Sequence, residues 1–135
     1  MNKLLFLFSL CLLMSSCNQP STSTEDNNKM HTDSTLDVLT ASPDKYKLVL
    51  ENEHVRVIEY THKPGEKDKP HTHPAKTSYV ISGGIFRVYP ENKEPFDYVE
   101  VQGATGWSDK TSKHYVENIG TTTITILLTE IKSAR

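Results

Sequence analysis

Residues 65–73 spell Gly-Glu-Lys-Asp-Lys-Pro-His-Thr-His, and this stretch decides how the rest of the chain is interpreted. His71 and His73 are two residues apart, so on an extended backbone both imidazoles project from the same face. Pro70 and Pro74 flank the pair and disfavour a helix there. A third histidine, His114, begins a later predicted strand, and neutral imidazoles converging from two strands suit a transition metal. A His-x-His pair alone is weak evidence, since two exposed loop histidines would look the same.

The residues around this stretch follow a β pattern. Segments rich in β-branched and aromatic residues alternate with turn signals such as Pro64-Gly65 and Gly83-Gly84. The predicted strands cover residues 46–50, 55–61, 76–82, 85–89, 96–101, 115–118 and 122–131. Short strands at regular spacing, without a long helical period, predict an all-β fold, a small antiparallel sandwich or barrel.

Two motifs in this β region resemble those of a known family. The stretch from Gly65 to His73, followed by Tyr-Val-Ile-Ser-Gly-Gly at 79–84, resembles the first motif of the cupin superfamily. Residues 114–118, His-Tyr-Val-Glu-Asn, resemble the end of its second motif. The resemblance is to small single-domain, RmlC-like cupins and spans about residues 46–132. It implies a double-stranded β-helix (jelly-roll) domain over 45–135, with His71, His73 and His114 as metal ligands.

The chain departs from the family pattern in two places. Cupins often carry a glutamate ligand four or five residues after the second histidine, where this chain has Thr77 and Ser78. The second motif usually has a proline and a glycine before its histidine, whereas residues 109–113 are Asp-Lys-Thr-Ser-Lys. Three histidines would leave coordination positions open. Imidazoles do not choose among Fe, Zn, Mn, Ni and Cu, and a cupin without a functional metal remains the alternative.

Strand parity and hydrophobicity nominate three further residues. Thr77 and Tyr79 share parity with the histidine pair, so both could line a cavity, although a core tyrosine is equally compatible for Tyr79. Trp107 is expected to close one end of the barrel by core packing. The remaining histidines are expected outside the site: His31, His54 and His62.

The first residues have the layout of a secretory signal peptide. Lys3 precedes an apolar run over residues 4–14, and small residues then lead to Cys17. The run is too short for a membrane-spanning helix, which needs about 20 residues. Residues 14–17, Met-Ser-Ser-Cys, resemble the lipobox of bacterial lipoproteins. This implies a signal peptide over 1–16 and lipidation of Cys17 in the cell envelope, with an ordinary signal peptide as the alternative.

Residues 17–44 connect this leader to the predicted domain. They are rich in Ser, Thr, Asn and Asp, which predicts a flexible tether, with one short helical turn near 36–41. The formal net charge of −2 and the absence of basic runs give no indication of nucleic-acid binding, so lipid is the one expected membrane contact. Residues 121–128 alternate Thr and Ile in the last predicted strand. If this strand lies at an uncovered sheet edge, it can pair with another chain, which predicts a homodimer.

These features leave two functional hypotheses. In the first, the protein is an enzyme: a metal ion held by three histidines in the barrel, with open coordination positions, acts on an unidentified small molecule. The same barrel could bind or sense a small ligand without turnover. The fold does not decide between them, because cupins host both kinds of function.

Overall fold

The computed structural model describes residues 34–132, which form an antiparallel β fold preceded by one short helix. The predicted signal peptide, Cys17, His31 and the tether up to residue 33 lie outside the described residues. The eight strands are β1 (Tyr46–Glu51), β2 (Val55–His62), β3 (Lys76–Ser82), β4 (Gly84–Pro90), β5 (Phe96–Glu100), β6 (Thr105–Ser108), β7 (His114–Asn118) and β8 (Ile124–Ile131). Among residues 34–132, no helix is long and apolar enough to cross a membrane.

The strands form two sheets, as the all-β prediction requires. One has five strands in the order β1-β2-β8-β3-β6, and the other has three in the order β5-β4-β7. The seven predicted strands are confirmed to within two residues. β6 is not among the predicted strands. Its four residues include Gly106 and follow the turn at Gly103, so that the segment has the composition of a loop.

The core lies where apolar side chains of the two sheets meet. On β8 the side chains of Ile124, Ile126 and Leu128 are buried on alternate positions, as expected for one inward face of a strand. They pack in one cluster with Phe86 of β4 and Val116 of β7. Each buried side chain of this kind contributes about 1.5–3 kcal/mol to folding.

The chain passes from the five-stranded to the three-stranded sheet at Gly83, between β3 and β4. A Cβ atom on this residue would lie 2.2 Å from the carbonyl oxygen of Glu100 and 3.0 Å from the amide nitrogen of Gln102. Both contacts are with backbone atoms, which cannot move aside cheaply. A glycine is therefore required at this crossing, and this accounts for the first residue of the Gly83-Gly84 turn signal.

The last strand is not an edge, which corrects the reason given for self-association. β8 pairs with β2 on one side and with β3 on the other, so its Thr/Ile alternation lies within the sheet. The outer strands of this sheet are β1 and β6. Of these, β1 exposes three consecutive apolar side chains: Leu48, Val49 and Leu50. The homodimer stays a prediction, and β1 replaces β8 as the surface it would use.

Residues 34–44 belong to the domain rather than to a flexible tether. They form a 3-10 turn (Ser34–Leu36) and the short helix α1 (Val38–Ala41), so the predicted helical turn is confirmed. Asp37 caps the helix by accepting a hydrogen bond from the amide of Leu39 at 3.0 Å. Val38 is completely buried in the main core. The polar composition of 17–44 concealed these few apolar residues, and the domain begins at least as early as Ser34.

Candidate metal centre

The three predicted histidines lie together, confirming the placement expected from the sequence. Backbone hydrogen bonds pair His71 with His114, from His71 N to His114 O at 2.8 Å and from His114 N to His71 O at 3.0 Å. One ring nitrogen of each of His71, His73 and His114 lies within 4.8 Å of the others. His71 and His73 are buried and His114 is partly buried. The cluster is compatible with one metal ion.

Hydrogen bonds at the Nδ1 atoms orient all three imidazoles in the same sense. His71 Nδ1 lies 2.8 Å from the carbonyl oxygen of Lys69, and His114 Nδ1 lies 2.8 Å from that of Ser112. A carbonyl can only accept, so each Nδ1 carries the proton and donates. The free lone pair is then on Nε2, the nitrogen that can bind a metal.

Burial keeps these imidazoles neutral, which is the form that binds metal ions. Loss of solvation lowers the pKa of His71 and of His114 to about 4. The same cause takes the pKa of His73 well below its ordinary value. At neutral pH no proton therefore competes with a metal for Nε2.

His73 is oriented by a buried carboxylate instead of a carbonyl. Its Nδ1 donates to Glu130 Oε1 at 2.7 Å, and Glu130 is 1 % exposed. The other oxygen of Glu130 accepts from Arg56 Nε at 2.8 Å and from Arg56 Nη2 at 2.6 Å. Arg56 Nη2 also lies 2.6 Å from a carboxylate oxygen of Asp37, next to α1. A chain of charge-assisted contacts therefore connects the N-terminal segment to His73.

The backbone around the histidine pair is held by two other segments. The amide of His73 donates to Thr111 Oγ1, and the amide of Thr111 donates to His73 O, both at 3.0 Å. On the opposite side, the amide of Thr72 donates to Leu36 O at 3.0 Å. The amide of Lys69 donates to Ser42 Oγ at 2.8 Å. The unusual loop 109–113 and the N-terminal segment both therefore fix the position of the ligands.

A second buried polar group lies against His71. Asp68 Oδ2 accepts from the Tyr46 hydroxyl at 2.8 Å and from the Tyr60 hydroxyl at 3.4 Å. Its Oδ1 accepts from the amide of Val116 at 2.7 Å, while burial raises the pKa of Asp68 to about 6. The Tyr46 hydroxyl also lies 3.3 Å from His71 Nε2. The hydroxyl thus lies beside the nitrogen predicted to bind the metal, whereas the carboxyl group lies 3.6 Å from His71 Nδ1.

The three histidines line a cavity of about 460 Å³, which is within the range of about 300–1,000 Å³ that is usual for small-molecule sites. The predictions that Thr77 and Tyr79 line it are wrong: both face outward, and Tyr79 is 48 % exposed. The lining residues of β3 are Lys76, Ser78 and Val80. His71 and His73 precede β3 in the chain. The regular alternation of side chains between the two faces of the sheet is interrupted between His73 and Lys76, so positions 77 and 79 do not face the cavity. A glutamate at position 77 would therefore point away from the histidines.

Trp107 also lies differently from the prediction. It is 59 % exposed and is paired with Thr77 of β3, so its side chain lies on the outward face of the sheet instead of packing in the core. Its indole nitrogen donates to Asp109 Oδ1 at 3.1 Å. β6 is the outer strand of the five-stranded sheet, so a side chain on it has a neighbouring strand on one side only.

Two further histidines of the described chain lie outside the metal centre, as predicted, but one of them is unexpectedly buried. His54 is exposed, as predicted. His62 was expected at the surface but is completely buried between the rings of Tyr60 and Phe86, whose centroids are 4.8 Å and 5.5 Å from its own. Neither of its ring nitrogens has a hydrogen-bond partner. Burial lowers the pKa of His62 to about 4.

Replacing His62 with leucine is expected to stabilise the protein, increasingly so in acid. An unsatisfied buried polar group costs about 1–3 kcal/mol. The unfolded state takes up a proton near pH 6.5 and the folded state only near 4, so wild-type stability falls across this window. The advantage of the variant should widen there by up to about 3 kcal/mol. Urea denaturation between pH 4 and 7 measures it, with His54→Leu as the exposed control. A constant difference across this range would contradict the account.

Glu130 is not among the site residues predicted from the sequence, although the sequence contains a signal for it. Positions 124, 126 and 128 form the buried face of β8, and 130 continues the same parity with a carboxylate. A charged group is rarely buried without a partner. Asp68, three residues before His71, carried no comparable pattern, since its partners come from distant strands.

Comparison with known proteins places the fold. No family model matches the sequence, and no curated protein matches it. A cupin-domain structure from Bordetella pertussis matches with a TM-score of 0.61 and 20 % identity, over 65 % of this chain and 92 % of that one. An RmlC-like cupin with a double-stranded β-helix fold from Methanocaldococcus jannaschii matches with a TM-score of 0.53 and 18 % identity, over 64 % and 77 %.

A third solved structure points the same way. An uncharacterised conserved protein with a double-stranded β-helix domain from Klebsiella pneumoniae matches with a TM-score of 0.50 and 23 % identity, over 64 % of this chain and 73 % of that one. Identities of this size establish the fold and nothing finer. The described domain is a cupin-type double-stranded β-helix, as the two sequence motifs implied.

Proposed function

We propose that this cupin domain binds a divalent transition metal through the Nε2 atoms of His71, His73 and His114. One observation carries the proposal: each Nδ1 is engaged with an acceptor, so three Nε2 lone pairs are left for one ion. Such outer hydrogen bonds are the usual companions of metal-binding histidines. The three imidazoles suit Fe, Zn, Mn, Ni and Cu, and their chemistry does not select among these.

The proposed site is open toward the cavity, where a small molecule would bind. Three protein ligands leave coordination positions for water or substrate, as in catalytic metal sites. A metal held by neutral ligands would supply Lewis acidity there. The Tyr46 hydroxyl lies close to His71 Nε2 but donates its one proton to Asp68, so its oxygen could only accept a hydrogen bond from a bound molecule. Burial raises the pKa of Tyr46 well above its ordinary value, so this hydroxyl keeps its proton.

A non-catalytic binding or sensing role is the second candidate, and the surroundings of Asp68 favour it. Both oxygens of this carboxylate are already occupied, by Tyr46 and Tyr60 on one side and by the amide of Val116 on the other. A group so engaged is less free to act as a general base.

Metal analysis of protein purified from its native envelope tests the proposal and separates the two roles. We expect one transition-metal ion per chain. Oxygen-uptake and hydrolysis screens, each with and without a chelator, then follow. Turnover that disappears on chelation would support an enzyme, and tight ligand binding without turnover would support a binding module. Protein that carries no metal, and takes none up from added Zn, Fe, Mn, Ni or Cu, would refute the metal site.

For the location of the protein we propose export and lipid attachment at Cys17, supported by the leader and by residues 14–17. Lipid would be its one membrane contact, and the domain would lie on the periplasmic or outer side of a bacterial membrane. Other partners we propose are the small molecule of the cavity and a second copy of the chain, pairing at the exposed β1 edge. Nothing in the charge pattern supports a nucleic-acid partner.

Replacing Cys17 with alanine is expected to block processing or to release the protein from the membrane fraction, because the lipid anchor is lost. Fractionation and immunoblotting measure both outcomes. Cys11→Ala, a substitution in the apolar run, is the matched control and should leave attachment unchanged. A Cys17→Ala protein matured normally and held in the membrane at the wild-type level would show that the attachment is of another kind.

A further inference from the structure

Lys76 places a positive charge in the wall of the cavity that contains the three histidines. It is the first residue of β3 and is only partly exposed. Within residues 34–132, no carboxylate oxygen lies within 4.0 Å of its ammonium group, whereas several other lysines form such ion pairs. Lysines in sheltered positions are usually paired. Burial lowers the pKa of Lys76, consistent with a charge that lacks full compensation.

The acidic groups nearest to Lys76 are otherwise engaged or too distant. Glu130 lies opposite Lys76 in the β3–β8 register, but its two oxygens are bound to His73 and to Arg56. Glu100 also lines the cavity and forms no ion pair within the described chain. Burial raises the pKa of Glu100, while its attraction to Lys76 acts in the opposite sense without an ion pair between the two groups. The ammonium group of Lys76 therefore lines the cavity without an ion pair to any carboxylate of the described residues, and Glu100 and Glu130 attract it only from a greater distance.

The histidine cluster adds to this positive character if it holds an ion. Its three ligands are neutral and bring no negative charge, so a divalent ion would keep its full charge. The ammonium group and the ion would line the same cavity. An anionic ligand would then be favoured by both.

The rest of the cavity wall is suited to an apolar body. Phe86 and Val88 line the interior, and their cross-strand partners Tyr98 and Phe96 line the mouth. Tyr98 and Phe96 are each at least half exposed, so their rings are available for contact with a ligand. Binding pockets with apolar walls and a few placed polar groups generally hold small organic molecules.

We propose that the cavity binds a small organic carboxylate, whose carboxylate group contacts Lys76 and whose apolar body lies against the aromatic side chains at the mouth. This inference rests on the proposed function only in using the same cavity. The attraction to Lys76 does not require the metal, although the metal would strengthen it.

Isothermal titration calorimetry of the full chain tests this, with benzoate and hexanoate as probes and with benzamide and hexanamide as their neutral counterparts. The titrations are run on zinc-loaded and on chelator-stripped protein, with the zinc content of each sample measured. We expect both carboxylates to bind at least about tenfold more tightly than their amides, the equivalent of one strong charge contact. Lys76→Met should abolish this preference and Lys76→Arg should retain it. Lys47→Met, on the exposed strand β1, is the matched control.

The results separate this inference from the metal site. A carboxylate preference that depends on Lys76 in the stripped protein supports the inference even if the wild type holds no zinc, a result that would refute the proposed function alone. Carboxylates bound no better than amides, or not bound at all, in both forms of the wild type would overturn it. So would a preference that survives in Lys76→Met. The Lys76→Arg variant guards against misfolding, since its failure to restore the preference would count against a charge contact.

Discussion

Replacing His73 with alanine is expected to remove most of the bound metal from the protein. The change deletes one of three proposed ligands and leaves Glu130 without its imidazole partner. The affinity should fall by more than the roughly 10- to 100-fold that follows the loss of an outer hydrogen-bonding partner. His71→Ala and His114→Ala should behave in the same way. Competition with a chromophoric chelator measures the affinity, and elemental analysis measures the metal content.

The remaining histidines provide the controls for this experiment. His54 is exposed and lies outside the cluster, and His31 lies outside the described residues, so His54→Ala and His31→Ala should keep wild-type metal content. If the His71→Ala, His73→Ala or His114→Ala variant retained its full metal content, the imidazole removed in that variant would not be a ligand. Loss of metal from the two controls would indicate a site elsewhere.

Replacing Glu130 with glutamine is expected to weaken metal binding by about 10- to 100-fold. The amide keeps the size of the side chain but cannot accept from both His73 and Arg56 as the carboxylate does. His73 then loses the partner that fixes its orientation and tautomer. Arg56 keeps Asp37, so the loss of stability should be smaller than the about 3–5 kcal/mol of a fully broken buried pair.

The matched control for this variant is Glu117→Gln on β7. Its carboxylate also accepts a side-chain hydrogen bond, from Tyr89 at 2.8 Å, but it does not contact the ring nitrogens of the three clustered histidines. Chelator competition and urea denaturation of both variants separate metal affinity from stability. Wild-type metal affinity in Glu130→Gln would mean that the backbone alone orients His73, and that the contacts from Asp37 to Glu130 serve only stability.

Features set by local patterns could be predicted from the sequence. Strands such as β8 show their alternation directly, because one face of the strand packs in the core. His71, His73 and His114 could be grouped through the two motifs, whose order and spacing imply neighbouring strands. Cysteine and composition patterns in residues 1–33 lead to predictions that stay open, because that part of the chain lies outside the described residues.

Features set by distant contacts could not be predicted. The prediction for Thr77 and Tyr79 assumed that one continuous strand runs from His71 to position 79. In the structure the histidine pair precedes β3, and in β3 the even-numbered side chains from Lys76 to Val80 face the cavity. Residues 34–44 look like tether because their few apolar side chains gain stability only when packed on the sheets. The interaction of Arg56 with Glu130 joins β2 to β8, and no pattern in the sequence near either residue predicts it.

The central claim is that three imidazoles bind one ion, and X-ray absorption spectroscopy of the metal-loaded protein tests it most directly. For zinc, the account predicts a shell of nitrogen and oxygen atoms at about 2.0–2.1 Å. The outer-shell scattering should fit three imidazole rings, and should fall to two in whatever metal His73→Ala retains. A first shell without imidazole scattering, or with a sulfur ligand, would contradict the claim.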